Sequence, residues 1–140
     1  MNGERLLIDA TFVAGYLNRR DQHHAKALTC MPRVRAASEV FITEAVLIEI
    51  GNLLHETQHR LRAAEFIETC YGTPNITVVP VDTSLFASAI EFYRRHTDKA
   101  WGLTDCISFI VMRDRGLMIA ATADSDFQQA GFHALMLEAS

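Results

Sequence analysis

Four short apolar runs punctuate a chain otherwise patterned for helices: Leu6 to Ile8, Val40 to Ile42, Thr77 to Val81 and Met118 to Ala121. Each is apolar on both faces and bounded by polar residues, as expected of strands covered by helices on both sides of a parallel sheet. A weaker fifth run covers Ala134 to Leu137. Helical spacing of apolar positions predicts helices over Thr11 to Arg19, His23 to Met31, Ala45 to Glu56, Leu61 to Cys70, Ser84 to His96 and Asp105 to Asp114, with a short one near Phe127. Strands alternating with helices predict an α/β fold. Breaks are expected at Pro32, at Gly72-Thr73-Pro74-Asn75 and at Asp98-Lys99-Ala100-Trp101-Gly102, the last a loop suited to flank a site.

A length of 140 residues, with no repeat and no Pro/Gly-rich linker, predicts a single domain over 1–140. Thirteen basic against 17 acidic residues give a net charge of −4, which argues against gripping nucleic acid by bulk electrostatics. A polyanionic substrate would need help from cations. Cys30, Cys70 and Cys106 form no C-x-x-C pair and read as reduced core thiols. The first apolar stretch is broken at Asp9, and the run Cys106 to Met112 falls far short of the roughly 20 residues that span a bilayer. A cytoplasmic protein without membrane attachment is expected.

In open parallel sheets, sites form beyond the carboxyl ends of the strands. Asp9 ends the first strand, and Asp124 and Asp126 follow the fourth, so these acids could meet at one rim. Glu49 lies amid Val46, Leu47, Ile48 and Ile50, where a surface acid is unexpected and an unpaired buried one would be costly. Asp105 opens a helix, with Thr104 placed to cap it and the helix dipole favouring its charge. Each acid also has an ordinary reading. Asp9 and Asp124 suit helix caps, Asp105 suits a dipole partner, Asp126 suits a turn, and Glu49 suits a buried ion pair with an arginine. Convergence of several would make a hard, oxygen-rich pocket that prefers Mg²⁺ or Mn²⁺ and points to phosphate chemistry.

The motifs Leu7-Ile8-Asp9-Ala10-Thr11, Thr43-Glu44-Ala45-Val46-Leu47-Ile48-Glu49, Leu103-Thr104-Asp105-Cys106-Ile107-Ser108-Phe109 and Ala121-Thr122-Ala123-Asp124-Ser125-Asp126-Phe127 occur in that order. Together they resemble the PIN domain, the metal-dependent ribonuclease fold of VapC-type toxins in toxin–antitoxin pairs. The resemblance spans nearly the whole chain. It implies a three-layer α/β/α sandwich with a central, mainly parallel sheet. Asp9, Glu49, Asp105 and Asp124 would be catalytic and hold one or two Mg²⁺ ions, with Mn²⁺ able to substitute. Thr11, Thr104 and Asp126 would stand behind them, although Asp124 and Asp126 both match positions where the family carries acids. An RNA substrate, a cognate antitoxin of the VapB kind and a homodimer are further implications. A housekeeping nuclease of the same fold and a non-catalytic binding module of that fold are the alternatives.

His55-Glu56-Thr57-Gln58-His59 matches H-E-x-x-H, a zinc-hydrolase signature with Glu56 as general base. It sits where apolar periodicity stops, and no clear third ligand follows. A receiver-like signalling module would use Asp82 but needs a lysine that does not occur after Met118. Arg19, Arg20 and Lys99 are candidate contacts to RNA phosphates, and Arg94, Arg95, Arg113 and Arg115 share the pattern of solvated helix ends. Adjacent His23 and His24 would diverge by about 100° on a helix and so make a poor metal pair. Trp101 suits either a base-stacking platform or a core anchor.

Overall fold

The computed structural model describes residues 3–138. The ends of the expected 1–140 unit, residues 1–2 and 139–140, lie outside the described residues. In chain order the elements are β1 (Arg5–Ile8), α1 (Ala10–Leu17), α2 (His24–Ala36), β2 (Glu39–Thr43), α3 (Glu44–Leu53), α4 (Thr57–Gly72), β3 (Ile76–Val79), α5 (Thr83–Arg95), α6 (Leu103–Asp114), β4 (Ile119–Ala121), α7 (Ser125–Gln129) and β5 (His133–Ala134). A 3₁₀ turn, Leu135–Leu137, follows.

All four strand pairings are parallel, in the order β3-β2-β1-β4-β5. The order grows outward from β1 in one direction through β3 and then restarts on its other side with β4. Right-handed crossovers therefore place the helices on opposite faces before and after this reversal. Side-chain alternation along the strands agrees. Leu6, Ile8, Val40 and Ile42 pack with residues of α1 to α4, while Leu7, Phe41, Val79 and Ala120 pack with α5, α6 and α7. The three layers expected of the chain are present.

The second core is aromatic. Trp101, 7% exposed, stacks on Phe92 at 5.8 Å and meets Phe109 edge-on at 5.1 Å. Phe109 in turn meets Phe127 edge-on at 4.9 Å. Such pairs add about 0.5–1.5 kcal/mol each beyond the area they bury. Trp101 is thus a core anchor, tied by its indole N–H to Gln129 at 3.2 Å, and not a platform for bases.

Three local expectations are corrected. The predicted break at Pro32 does not occur, because α2 runs through it. Pro32 lies on the exposed face, where water can serve the carbonyl its missing N–H leaves free. The fifth strand is two residues long, since Leu135–Leu137 wind into the 3₁₀ turn. Thr104 does not cap α6: the helix starts at Leu103, with Gly102 at the cap position. Gly116, at φ 67°, supplies the left-handed residue that turns the chain from α6 toward β4.

Candidate active site

The strand order reverses between β1 and β4, and the acids gather beyond the carboxyl ends of these two strands. Ile8 pairs with Ala121, and the Asp9 N–H donates to the Ala121 carbonyl at 3.1 Å, so the segments after both strands leave the sheet side by side. Asp9 occupies the N-cap position of α1 without a side-chain capping bond. Its Oδ2 instead accepts hydroxyls from Thr122 at 2.8 Å and Thr11 at 3.1 Å. The two hydroxyls lie 3.2 Å apart. Thr11 Oγ1 also accepts the Ala123 N–H at 2.9 Å, and Thr122 Oγ1 the Asp124 N–H at 3.0 Å. Two threonines thus lock the start of α1 to the loop after β4.

That loop folds back on itself. Asp124 caps α7 by accepting the Asp126 N–H on Oδ1 at 2.9 Å. The turn brings Asp126 beside Asp124, and Asp105 comes in from the first turn of α6. One carboxylate oxygen from each of the three lies within 4.8 Å of the others. The donor set is all oxygen and half-buried, which suits a hard divalent cation and not zinc or copper.

Glu49 arrives from α3. Thr43 Oγ1 caps that helix by accepting the Val46 N–H at 3.1 Å. Glu44 pins the same end by accepting the Val81 N–H at 3.1 Å and the Tyr71 hydroxyl at 3.0 Å. Glu49 is half-buried, and no basic side chain pairs with it among the described residues, so the ion-pair reading fails. Asp9 and Glu49 stand outside the tight trio, yet their charges reach it.

The electrostatics show this coupling. Burial, then the charges of Asp124, Asp9, Asp126 and Glu49, push Asp105 up to about 8. Burial also raises Glu49, helped by Asp9 and Asp124. Asp9, 3% exposed, is raised by burial, against the pull of hydrogen bonds from Thr122, the Ala10 N–H and Thr11. Asp126 is raised by burial and by Asp124. An array of acids that resists full ionisation is one whose charge a cation would relieve.

Of the residues picked from the sequence, Asp105, Asp124 and Asp126 share the trio. Asp9, Glu49 and Thr11 border it. Thr104 turns to an apolar cavity of about 400 Å³ with Glu44, Ile48, Phe86 and Ile107. Arg19, Arg20 and Lys99 are exposed, Lys99 lying 3.8 Å from Asp98 and over the Trp101 ring. Thr122, fully buried, was missed; its signal was a polar residue directly after an apolar strand run. The H-E-x-x-H residues do not share a helix face: His55 precedes α4, Glu56 is its N-cap residue and His59 lies in its first turn. His24 Nδ1 is engaged with the Gly15 carbonyl at 2.8 Å. Asp82 caps α5 through the Leu85 N–H.

Known proteins share this fold. The family model described as the PIN domain matches residues 6–133. A curated relative, the 23S rRNA-specific endonuclease VapC20 of Mycobacterium tuberculosis, is 30% identical over 129 residues, covering 91% of this chain and 95% of its own. The crystal structure of that protein, described as a Sarcin-Ricin loop cleaving toxin, superposes with a TM-score of 0.80 at 28% identity, with 91% and 95% of the two chains covered. FitAB bound to an IR36 DNA fragment matches in fold alone, at a TM-score of 0.66 and 12% identity over 96% of this chain and 98% of that one.

Proposed function

The chain belongs to the PIN-domain family, and on that premise we propose that it is a divalent-metal-dependent endoribonuclease and the toxin of a toxin–antitoxin pair. The observation that carries this reading is the convergence of Asp105, Asp124 and Asp126 within 4.8 Å, beside Asp9 and Glu49. Mg²⁺ is the proposed ion, with Mn²⁺ as substitute, held by Asp9, Glu49, Asp105 and Asp124 with Asp126 alongside. When bound, such an ion polarises a phosphodiester and lowers the pKa of water.

The chain's own residues prepare the reaction. Thr11 and Thr122 fix the Asp9 carboxylate from two sides, so its free oxygen is oriented before any ligand arrives. Asp105 retains a proton at neutral pH, so cation binding displaces one. The net charge of −4 makes the cation a requirement for bringing a phosphate backbone to this rim. Arg19, Arg20 and Lys99 are proposed as phosphate contacts away from the acids.

The relative named above makes ribosomal RNA the first substrate to test. The antitoxin is proposed to cover the acids with arginine side chains, which pair with carboxylates in bidentate fashion. Homodimerisation is supported by exposed Phe86, Ile90 and Tyr93, spaced four and three residues apart along α5, near exposed Ile48 of α3. A cytoplasmic location is proposed; no helix among the described residues is long and apolar enough to cross a membrane.

The test is digestion of total RNA with purified protein, with end mapping and with chelator as control. Asp9→Asn and Asp105→Asn should each reduce cleavage at least 100-fold while leaving the circular dichroism spectrum unchanged. Undiminished cleavage by both variants would falsify the mechanism. Growth arrest on expression, relieved by the neighbouring small open reading frame, separates a toxin from a housekeeping nuclease; no arrest removes the toxin assignment.

A further inference from the structure

Among the described residues, one buried side-chain polar atom has no hydrogen-bond partner: Ser108 Oγ, on α6. The residue is fully buried, as is Met112 one turn further along α6. Buried hydroxyls are nearly always paired, and leaving one alone is costly, whereas alanine would fill the same place without that cost. A serine here therefore calls for a reason other than packing.

Its position supplies one. Ser108 lies three residues after Asp105, and residues at that spacing are neighbours on a helix surface. Helical side chains lean toward the N-terminus, so the Ser108 hydroxyl covers the turn that carries Asp105. Helical spacing puts Ser108 between Asp105 and the buried Val111 and Met112, on the buried side of α6. Asp105 meets the Asp126 side chain, but among the described residues no hydroxyl donates to it as Thr11 and Thr122 donate to Asp9.

We propose that Ser108 is a positioning residue for Asp105, its hydroxyl donating to the Asp105 carboxylate when that carboxylate holds a divalent cation. The inference rests on the metal-binding reading of the acids. A carboxylate ligand is itself oriented by hydrogen bonds, and losing such a partner weakens metal affinity by about 10- to 100-fold. Ser108 does for Asp105 what Thr11 and Thr122 do for Asp9.

The test measures two quantities that a merely structural serine would not move in opposite directions. Mn²⁺ binding to the full chain is followed by the electron paramagnetic resonance of free Mn²⁺, and thermal unfolding is followed in chelator. Ser108→Ala should weaken Mn²⁺ binding about tenfold, while its Tm in chelator stays equal or rises, because an unpaired buried hydroxyl is gone. Ser108→Cys, which keeps the volume but donates poorly, should behave alike and carries the test should the alanine variant fold badly. Mn²⁺ affinity within twofold of the parent in both variants overturns the proposal, as does weakening that appears only with a lowered Tm. A parent chain that binds no Mn²⁺, or an Asp105→Asn variant that binds it like the parent, removes the metal reading and this inference with it.

Discussion

The Thr122 hydroxyl donates to Asp9 Oδ2 at 2.8 Å, across 113 residues of sequence and directly over the β1–β4 junction. Both residues are buried, so the bond is shielded from water. Replacing Thr122 with valine keeps the shape and deletes the donor. Leaving a buried acceptor without one of its donors costs about 1–3 kcal/mol, and Thr122→Val should lose that much in urea unfolding. A loss below about 0.5 kcal/mol would mean that Thr11 alone suffices for Asp9.

Stability in chelator should fall as pH rises. Asp105 titrates near 8 in the folded protein against an ordinary value of 3.8, so the folded state binds a proton that the unfolded chain releases earlier. A raised carboxyl pKa contributes stability that is complete below about pH 4 and is lost as pH climbs through 8. Asp9, Glu49 and Asp126 are shifted in the same direction. Thermal unfolding in chelator should therefore give a higher Tm at pH 6 than at pH 8.5. Asp105→Asn should flatten that dependence, and a slope equal to the parent's would assign it to other groups.

Asp126 should matter as much as Asp124. Both belong to the trio within 4.8 Å, although the family resemblance sets Asp126 behind Asp124. Mn²⁺ raises Tm by mass action when it binds the folded state alone. The Mn²⁺-induced rise should shrink by more than half in Asp124→Asn and in Asp126→Asn alike. An Asp126 variant with the parent's full rise would return that residue to a supporting place.

Trp101 should act on stability and not on RNA. Its ring is clamped between Phe92 and Phe109. Trp101→Ala should cost about 3–5 kcal/mol in urea unfolding, and Trp101→Phe clearly less. Under conditions where Trp101→Phe is folded, its RNA affinity should match the parent's; a loss of tenfold or more would restore a stacking role.

The layers were legible because β1 to β4 are apolar on both faces, a pattern that few helices share. Boundaries were less so. Apolar composition marks Ala134 to Leu137 as strand-like, but only His133 and Ala134 find a partner on β4. Pro32 looked like a stop because the local rule ignores exposure. In the site, Asp9, Asp124 and Asp126 are legible as acids that follow strands, Glu49 as an acid amid apolar neighbours and Asp105 as an acid opening a helix. Thr122 is not, since a threonine after a strand is ordinary until Asp9 is set against it. The two-residue spacing of Asp124 and Asp126 does not reveal that Asp124 accepts the Asp126 N–H or that both lie close to Asp105.

Strand order has a consequence for synthesis. β1 is made first, yet one of its two neighbours, β4, comes from residues 119–121, near the end of the chain. Until those residues leave the ribosome, Asp9 has neither Thr122 to hold it nor Asp124 beside it. The β1–β4 rim that gathers the acids therefore cannot form until residues 119–124 have been made, however early β1 emerges.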